Sequence, residues 1–181
     1  EMSSLNYQNS LGNIYLSGID NIFLKKSFGK NKFKTTNPST TLLAYKNNLI
    51  FSDDVGNIFN INEYGKINWQ VNIYKKLYKK LFKKLTFSID KKNIYIFDNI
   101  GFIYSLNLNT GKLLWIKNHA TPLKSNIKIF NNKIFLIDQE NRIICLKKKD
   151  GKKIWDLISV TPFIKSQRPL SLALSPKGDL Y

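Results

Sequence analysis

Few side chains in this sequence could do chemistry, and they are not grouped as in a catalytic or metal site. The 181 residues include one histidine, His119, and one cysteine, Cys145. A lone histidine argues against a histidine-based triad and most histidine metal sites, and a lone cysteine excludes a multi-cysteine zinc site. The glycines fall singly, so no phosphate-cradling loop is indicated. We therefore predict no catalytic, cofactor-binding or metal-binding residue.

Acidic residues are scarce, and Asp53-Asp54 is the one adjacent pair. The pair precedes Gly56, so we expect it to lie in a solvated turn. The net charge of +17 would suit nucleic acid or an anionic membrane, but all but two of the 29 basic residues are lysine. Because arginine forks are nearly absent, we expect a solvated lysine surface and no nucleic acid as partner. Since no catalytic or cofactor-binding constellation is found, we also expect no small-molecule substrate.

The three tryptophans all occupy the same local pattern, glycine, lysine, two residues, tryptophan. The copies run from Gly65 to Trp69, from Gly111 to Trp115 and from Gly151 to Trp155. The tryptophans are 46 and 40 residues apart, which is the period of a four-stranded propeller blade.

The middle copy shows how such a blade is built. Strand-like runs at 86–89, 93–97, 102–108 and 113–116 are separated by short polar turns. Turns this short leave no room for helical crossovers, so the strands form an antiparallel meander. The sequence therefore predicts an all-β chain, a β-propeller of four-stranded blades.

The other copies align with this one at two kinds of position. Turn residues with a left-handed backbone are expected at Gly56, Gly101 and Asn141, because asparagine tolerates that conformation best after glycine. Four residues later come Asn60, Ser105 and Cys145. We expect this position to hold a small buried side chain, so Cys145 is interpreted as a packing residue and not as a reactive thiol.

These alignments divide the chain as one partial propeller domain over 1–181. We assign a degenerate or truncated blade to 1–40, blades to 41–73, 86–117 and 118–157, an insertion to 74–85 and the start of another blade to 158–181. First strands are predicted at 41–45, 86–89, 126–130 and 171–175. The last strand region stops within a turn, so we expect the chain to be a fragment.

The insertion at 74–85 departs from the strand pattern. Its apolar residues recur at helical spacing, which predicts a short amphipathic helix with six lysines on the other face. That helix could cap one rim of the propeller, or contact a membrane or a partner. The lysines concerned are Lys75, Lys76, Lys79, Lys80, Lys83 and Lys84.

The repeated tryptophans are best explained as packing residues between blades. A four-stranded blade cannot bury both faces alone, and an indole covers about 150–250 Å². We therefore expect structural docking between blades and no ligand at these residues. The docking residues are Trp69, Trp115, Trp155, Gly65, Gly111 and Gly151.

These motifs resemble the tryptophan-docking repeat of the PQQ-like β-propeller family, with 104–115 as the best copy. In one branch, the quinoprotein dehydrogenases, the resemblance would imply pyrroloquinoline quinone, calcium, an adjacent-cysteine disulfide and a catalytic aspartate. This sequence has one cysteine and no matching carboxylate cluster.

The run from Trp115 to Trp155 looks most like the other branch, the BamB-like outer-membrane assembly lipoproteins. That resemblance implies a non-catalytic scaffold without cofactor at the periplasmic face of the bacterial outer membrane. Its expected partner is the barrel-inserting subunit of the assembly machinery. Peripheral membrane contact is a further expectation, which rests on the lysine-rich segment at 74–85. The signal peptide and lipobox cysteine of such proteins do not occur in this sequence.

Overall fold

A computed structural model describes residues 24–33, 42–158, 170, 172–175 and 177–181 of the chain. The described strands form three four-stranded sheets, and in each sheet the strands follow chain order. Every pairing within the sheets is antiparallel. This confirms the predicted all-β fold of four-stranded antiparallel blades.

The strand bounds follow the alternation of strand-like runs and polar turns. The first sheet contains β1 (Leu43–Tyr45), β2 (Asn48–Ser52), β3 (Ile58–Asn62) and β4 (Ile67–Val71). The second contains β5 (Leu85–Asp90), β6 (Asn93–Asp98), β7 (Phe102–Asn107) and β8 (Leu113–Asn118). The third contains β9 (Lys128–Phe130), β10 (Lys133–Ile137), β11 (Arg142–Lys147) and β12 (Lys153–Ile158).

Each sheet has two ends with different connections, because its strands run up and down in sequence. The turns between first and second strands and between third and fourth strands lie at one end, the hairpin rim. The turn between second and third strands and the connection to the next sheet lie at the other end, the connection rim. Residues 72–84, which link β4 to β5, therefore belong to the connection rim.

The core lies between neighbouring sheets. Buried residues such as Ile50 and Ile58 of the first sheet pack with Ile96 and Tyr104 of the second. Tyr95 on the second sheet packs in the same way with residues of the third. Single sheets thus bury their apolar faces against their neighbours, as expected for stacked repeats.

The small residue of each repeat lies directly opposite the tryptophan. Asn60 pairs with Trp69, Ser105 with Trp115 and Cys145 with Trp155, and a one-residue register shift follows each pair. All three small residues are buried, which confirms the predicted packing position of Cys145. Such a bulge increases local twist and redirects a side chain, here the indole.

Asn141 has a left-handed backbone, with φ of 58°, at the position where Gly56 and Gly101 also have positive φ. This confirms the interpretation of asparagine as a glycine replacement in this turn.

The predicted helix over 74–85 was wrong. Only a single 3₁₀ turn, Tyr78–Lys80, forms there, and the chain is extended again before β5. Backbone N–H groups that a helix would use internally instead bond to neighbouring turns. Lys83 N–H donates to Asp54 O at 2.9 Å, and Lys84 N–H donates to Asn99 Oδ1 at 2.8 Å. The helical spacing of apolar residues was therefore overridden by contacts with neighbouring turns.

The described residues outside the three sheets, near the two ends of the chain, form less regular structure. Residues 172–175 and 177–181 contact each other through one antiparallel bridge, Leu174 with Leu180, where a strand was predicted at 171–175. Of the blade predicted over 1–40, residues 1–23 and 34–40 lie outside the described residues.

Candidate functional site

Trp69 projects from β4 onto the second sheet. Its indole Nε1–H donates to Leu108 O at 2.9 Å, and its ring covers Gly111. A Cβ added to Gly111 would lie 2.7 Å from Trp69 Cδ2, closer than atoms can approach without displacement. The indole is 8% exposed. Glycine at 111 is therefore needed for close approach, in addition to its positive φ of 69°.

Trp115 repeats this arrangement one sheet later. Its Nε1–H donates to Lys148 O at 3.2 Å, and a Cβ on Gly151 would lie 2.5 Å from the ring. Lys148 also joins the same two sheets through its side chain, since its Nζ lies 2.5 Å from Asp90 Oδ2. Each tryptophan thus contacts the turn between third and fourth strands of the following sheet.

Trp155 differs from the other two tryptophans. It is 39% exposed, and Phe135 of its own sheet is its aromatic neighbour, with ring centroids 6.0 Å apart. In the described part of the chain, no glycine has the Trp155 ring among its nearest atoms.

Gly65 is covered by Leu24, which the sequence analysis missed. A Cβ at Gly65 would lie 2.8 Å from Leu24 Cδ1, and Lys26 Nζ donates to Gly65 O at 3.0 Å. Leu24 thus occupies the position that an indole occupies over the other two glycines. The sequence contains one sign of an earlier repeat before Leu24, although not of Leu24 itself. Residues 12–15, Gly-Asn-Ile-Tyr, resemble residues 56–59, Gly-Asn-Ile-Phe.

An aspartate at the end of each second strand organises the connection rim, and this repeat was also missed. Asp98 Oδ1 accepts the backbone N–H groups of Ile100, Gly101 and Phe102, each at 2.9 Å. Its other oxygen accepts the Tyr74 hydroxyl at 2.6 Å. Burial raises the pKa of Tyr74 above its ordinary value, and the nearby Tyr104 and Asp98 act in the same direction. The same turn is closed by Asp53 and by Asp138, whose Oδ1 atoms accept backbone N–H groups two and four residues later.

The expectation that Asp53-Asp54 is solvated was wrong. Both residues are buried, because the segment at 24–33 lies over them. Lys30 N–H donates to Asp53 Oδ2 at 3.1 Å, and Phe33 N–H to Asp54 Oδ2 at 2.7 Å. Beside them lies a cavity of about 230 Å³, lined also by Phe28, Phe82 and other residues of this rim.

Lys83 was predicted on a solvated basic face, and the structure corrects this. It is 2% exposed, and its Nζ donates to the carbonyl oxygens of Tyr78 and Leu81. The Nζ atom also lies 4.8 Å from the centre of the Tyr74 ring. Burial lowers the pKa of Lys83 below its ordinary value, while Asp98, Asp53 and Asp54 oppose that shift. Lys83 therefore holds the connecting segment in place from inside.

The other five lysines of this segment are exposed. They surround two exposed leucines, Leu77 at 77% and Leu81 at 47%. The exposed lysines are Lys75, Lys76, Lys79, Lys80 and Lys84. We call residues 75–84 the lysine-leucine loop.

Side chains of the types that bind metals are dispersed in the part of the chain that the structure describes. In the described ranges, no three His, Cys, Asp or Glu side chains come together as metal ligands would. Cys145 is fully buried, and burial raises its pKa. Burial lowers the pKa of His119, helped by Lys153 and Lys117. No described helix has the length and apolar character to cross a membrane.

Known proteins similar to this chain include quinoprotein dehydrogenases and BamB. The chain is 29% identical over 72 residues to a quinoprotein ethanol dehydrogenase from Pseudomonas putida, covering 35% of this chain and 12% of that one. Its fold resembles BamB from Moraxella catarrhalis, with TM-score 0.55, 18% identity and coverage of 66% of this chain and 35% of that one. It also resembles a quinohemoprotein alcohol dehydrogenase from Comamonas testosteroni, with TM-score 0.52, 15% identity and coverage of 66% and 21%.

The chain thus spans about a third of the length of the BamB structure and less of the two dehydrogenases. Residues 99–171 match the family model described as outer membrane protein assembly factor BamB. Together with the three sheets and their tryptophan contacts, this match makes the chain a propeller-like repeat protein that resembles the PQQ-like, BamB-like family over those residues.

Proposed function

We propose that this chain belongs to a non-catalytic β-propeller scaffold that binds other proteins, as a BamB-like component of the outer-membrane β-barrel assembly machinery. The match of residues 99–171 to the BamB family model carries this proposal. Structural use of the aspartates supports it, because Asp53, Asp98 and Asp138 all close turns. Carboxylates committed to backbone N–H groups are poorly placed to bind a metal or move a proton.

The proposed partner is the barrel-inserting subunit of that machinery, at the periplasmic face of the outer membrane. Trp69, Trp115 and the glycines that they cover are engaged between sheets, so a partner would have to bind exposed loops. We therefore place the binding surface on exposed loops other than the hairpin turns that carry the Gly-Lys-x-x-Trp units.

A binding experiment with purified components tests this. The chain should bind the barrel-inserting subunit saturably, and binding should persist when salt is raised from about 0.15 M to about 0.5 M, which screens nonspecific attraction to a highly basic protein. A variant with Lys66, Lys112, Lys149 and Lys152 changed to Gln is the charge control, since all four are exposed on the hairpin rim. Binding that disappears with salt, or with this variant, would contradict the proposal.

The second candidate is a fragment of a PQQ-dependent quinoprotein dehydrogenase for alcohols or sugars. The 72-residue similarity to a quinoprotein ethanol dehydrogenase favours it. Dye-linked oxidation of ethanol or glucose after addition of pyrroloquinoline quinone and Ca²⁺ would reveal such an enzyme. Turnover that requires both additions would replace the scaffold proposal.

A further inference from the structure

We propose that the lysine-leucine loop docks on the surface of an anionic phospholipid bilayer. The inference does not depend on the proposed function, because it rests on the anchoring, charge and exposure of this loop.

The loop is held firmly although it has little regular structure. At its start, the Tyr74 hydroxyl donates to buried Asp98. In its middle, the Tyr78 ring packs edge-on against Phe102, with centroids 5.1 Å apart. At its end, the buried ammonium group of Lys83 binds the Tyr78 and Leu81 carbonyl oxygens. Three side chains pointing inward thus fix the residues that point outward.

The outward residues combine apolar and cationic groups. Leu77 and Leu81 are both exposed, so their apolar surface is available to a bilayer. Lysines flank them on both sides, and no acidic residue occurs anywhere in 72–84. Lys32 adds a positive charge near the loop, because it is close enough to help lower the pKa of Lys83. The next residue, Phe33, packs against Phe82 of the loop.

A bilayer fits this surface better than a protein groove does. A groove that receives a helix needs apolar anchors along several turns, and the loop contains one 3₁₀ turn. At a membrane, leucines insert among the acyl chains while lysines remain at the headgroups. Each lysine near an anionic bilayer contributes about 1 kcal/mol, so several neighbouring lysines are enough for measurable binding.

Co-sedimentation with vesicles tests the proposal. The chain should pellet with vesicles of phosphatidylglycerol and phosphatidylcholine and remain soluble with pure phosphatidylcholine. Changing Lys75, Lys76, Lys79 and Lys80 to Gln should weaken binding about tenfold or more. The matched control changes Lys66, Lys112, Lys149 and Lys152 to Gln, which removes the same charge from the opposite rim. That control should bind within about twofold of the unmodified chain.

Substitution of the two leucines distinguishes insertion into the bilayer from electrostatic attraction alone. A variant with Leu77→Ser and Leu81→Ser keeps every lysine and should still lose several-fold in affinity for anionic vesicles. All substituted side chains are exposed, so unchanged melting temperatures should accompany the losses. Equal weakening by the loop and control lysine variants would overturn the proposal, as would full binding by the leucine variant or no binding by the unmodified chain.

Discussion

The Trp69 indole lies directly on Gly111 of the following sheet, where a single added carbon would come 2.7 Å from the ring. The same indole donates a hydrogen bond to Leu108 O. Trp115 and Gly151 repeat this pair, and Leu24 and Gly65 form an aliphatic version of it. The three described sheets are therefore joined by a tryptophan on one sheet and a glycine on the next.

Trp69→Ala should lower the free energy of unfolding by about 3–5 kcal/mol, because a nearly buried aromatic is lost along with its hydrogen bond. Trp155→Ala is the matched control. Its ring is 39% exposed, so the loss should be clearly smaller. Urea denaturation of both variants measures the difference. Equal losses would contradict a docking role for Trp69.

Gly111→Ala should destabilise the chain by about 1–3 kcal/mol through overpacking and the positive φ at that position. Most of that loss should disappear when Trp69 is already Ala, since the clash partner is then gone. A double-mutant cycle by chemical denaturation isolates the coupling between the two residues. Additive effects would show that Gly111 acts through its backbone alone.

The sequence predicted the blades well because tryptophan, glycine and the small residue recur in fixed order. It did not reveal Leu24, since an aliphatic residue carries no comparable signal by itself. It also misassigned residues 74–85. Apolar spacing describes one chain segment in isolation, whereas Asp54, Asp98 and Asn99 bind this segment from other turns.

The burial of Asp53 and Asp54 could not be predicted from a local turn pattern. Their partners are backbone N–H groups of residues 30 and 33, more than 20 positions away. The aspartate pair therefore predicted the turn correctly, but not the burial of that turn under residues 24–33.

Asp98→Ala should cost about 2–4 kcal/mol of unfolding free energy. The change leaves three turn N–H groups and the Tyr74 hydroxyl without their shared acceptor in a buried site. Asp150→Ala is the control, because that aspartate accepts one exposed backbone hydrogen bond. Thermal unfolding of both variants tests this difference. Equal melting temperatures would contradict the structural role of Asp98.

Lys83→Ala should destabilise the chain by about 1–3 kcal/mol, whereas Lys84→Ala should change little. Lys83 fills buried space with its stem and satisfies two carbonyl oxygens, while its neighbour is exposed. Limited proteolysis within 75–84 gives a second readout, since the loop loses its inner anchor only in the first variant. Identical cleavage rates in the two variants would contradict the anchoring role.

Stability should fall as pH rises above about 10, owing to buried tyrosines. Burial raises the pKa values of Tyr74, Tyr95 and Tyr104, so these phenols stay protonated in the fold after they ionise in the unfolded chain. A raised pKa in the folded state contributes stability that is complete below the unfolded value and is lost above it. Lys83 has the opposite effect, because its pKa is lower in the fold than in the unfolded chain. Its contribution to stability therefore rises with pH, and this rise ends near the ordinary lysine pKa of about 10.5. Unfolding free energies measured from pH 8 to about 11.5 should therefore decline at the alkaline end, and less steeply in Tyr74→Phe than in the exposed control Tyr64→Phe. A flat profile in the unmodified chain would show that these phenols ionise as easily in the fold as in water.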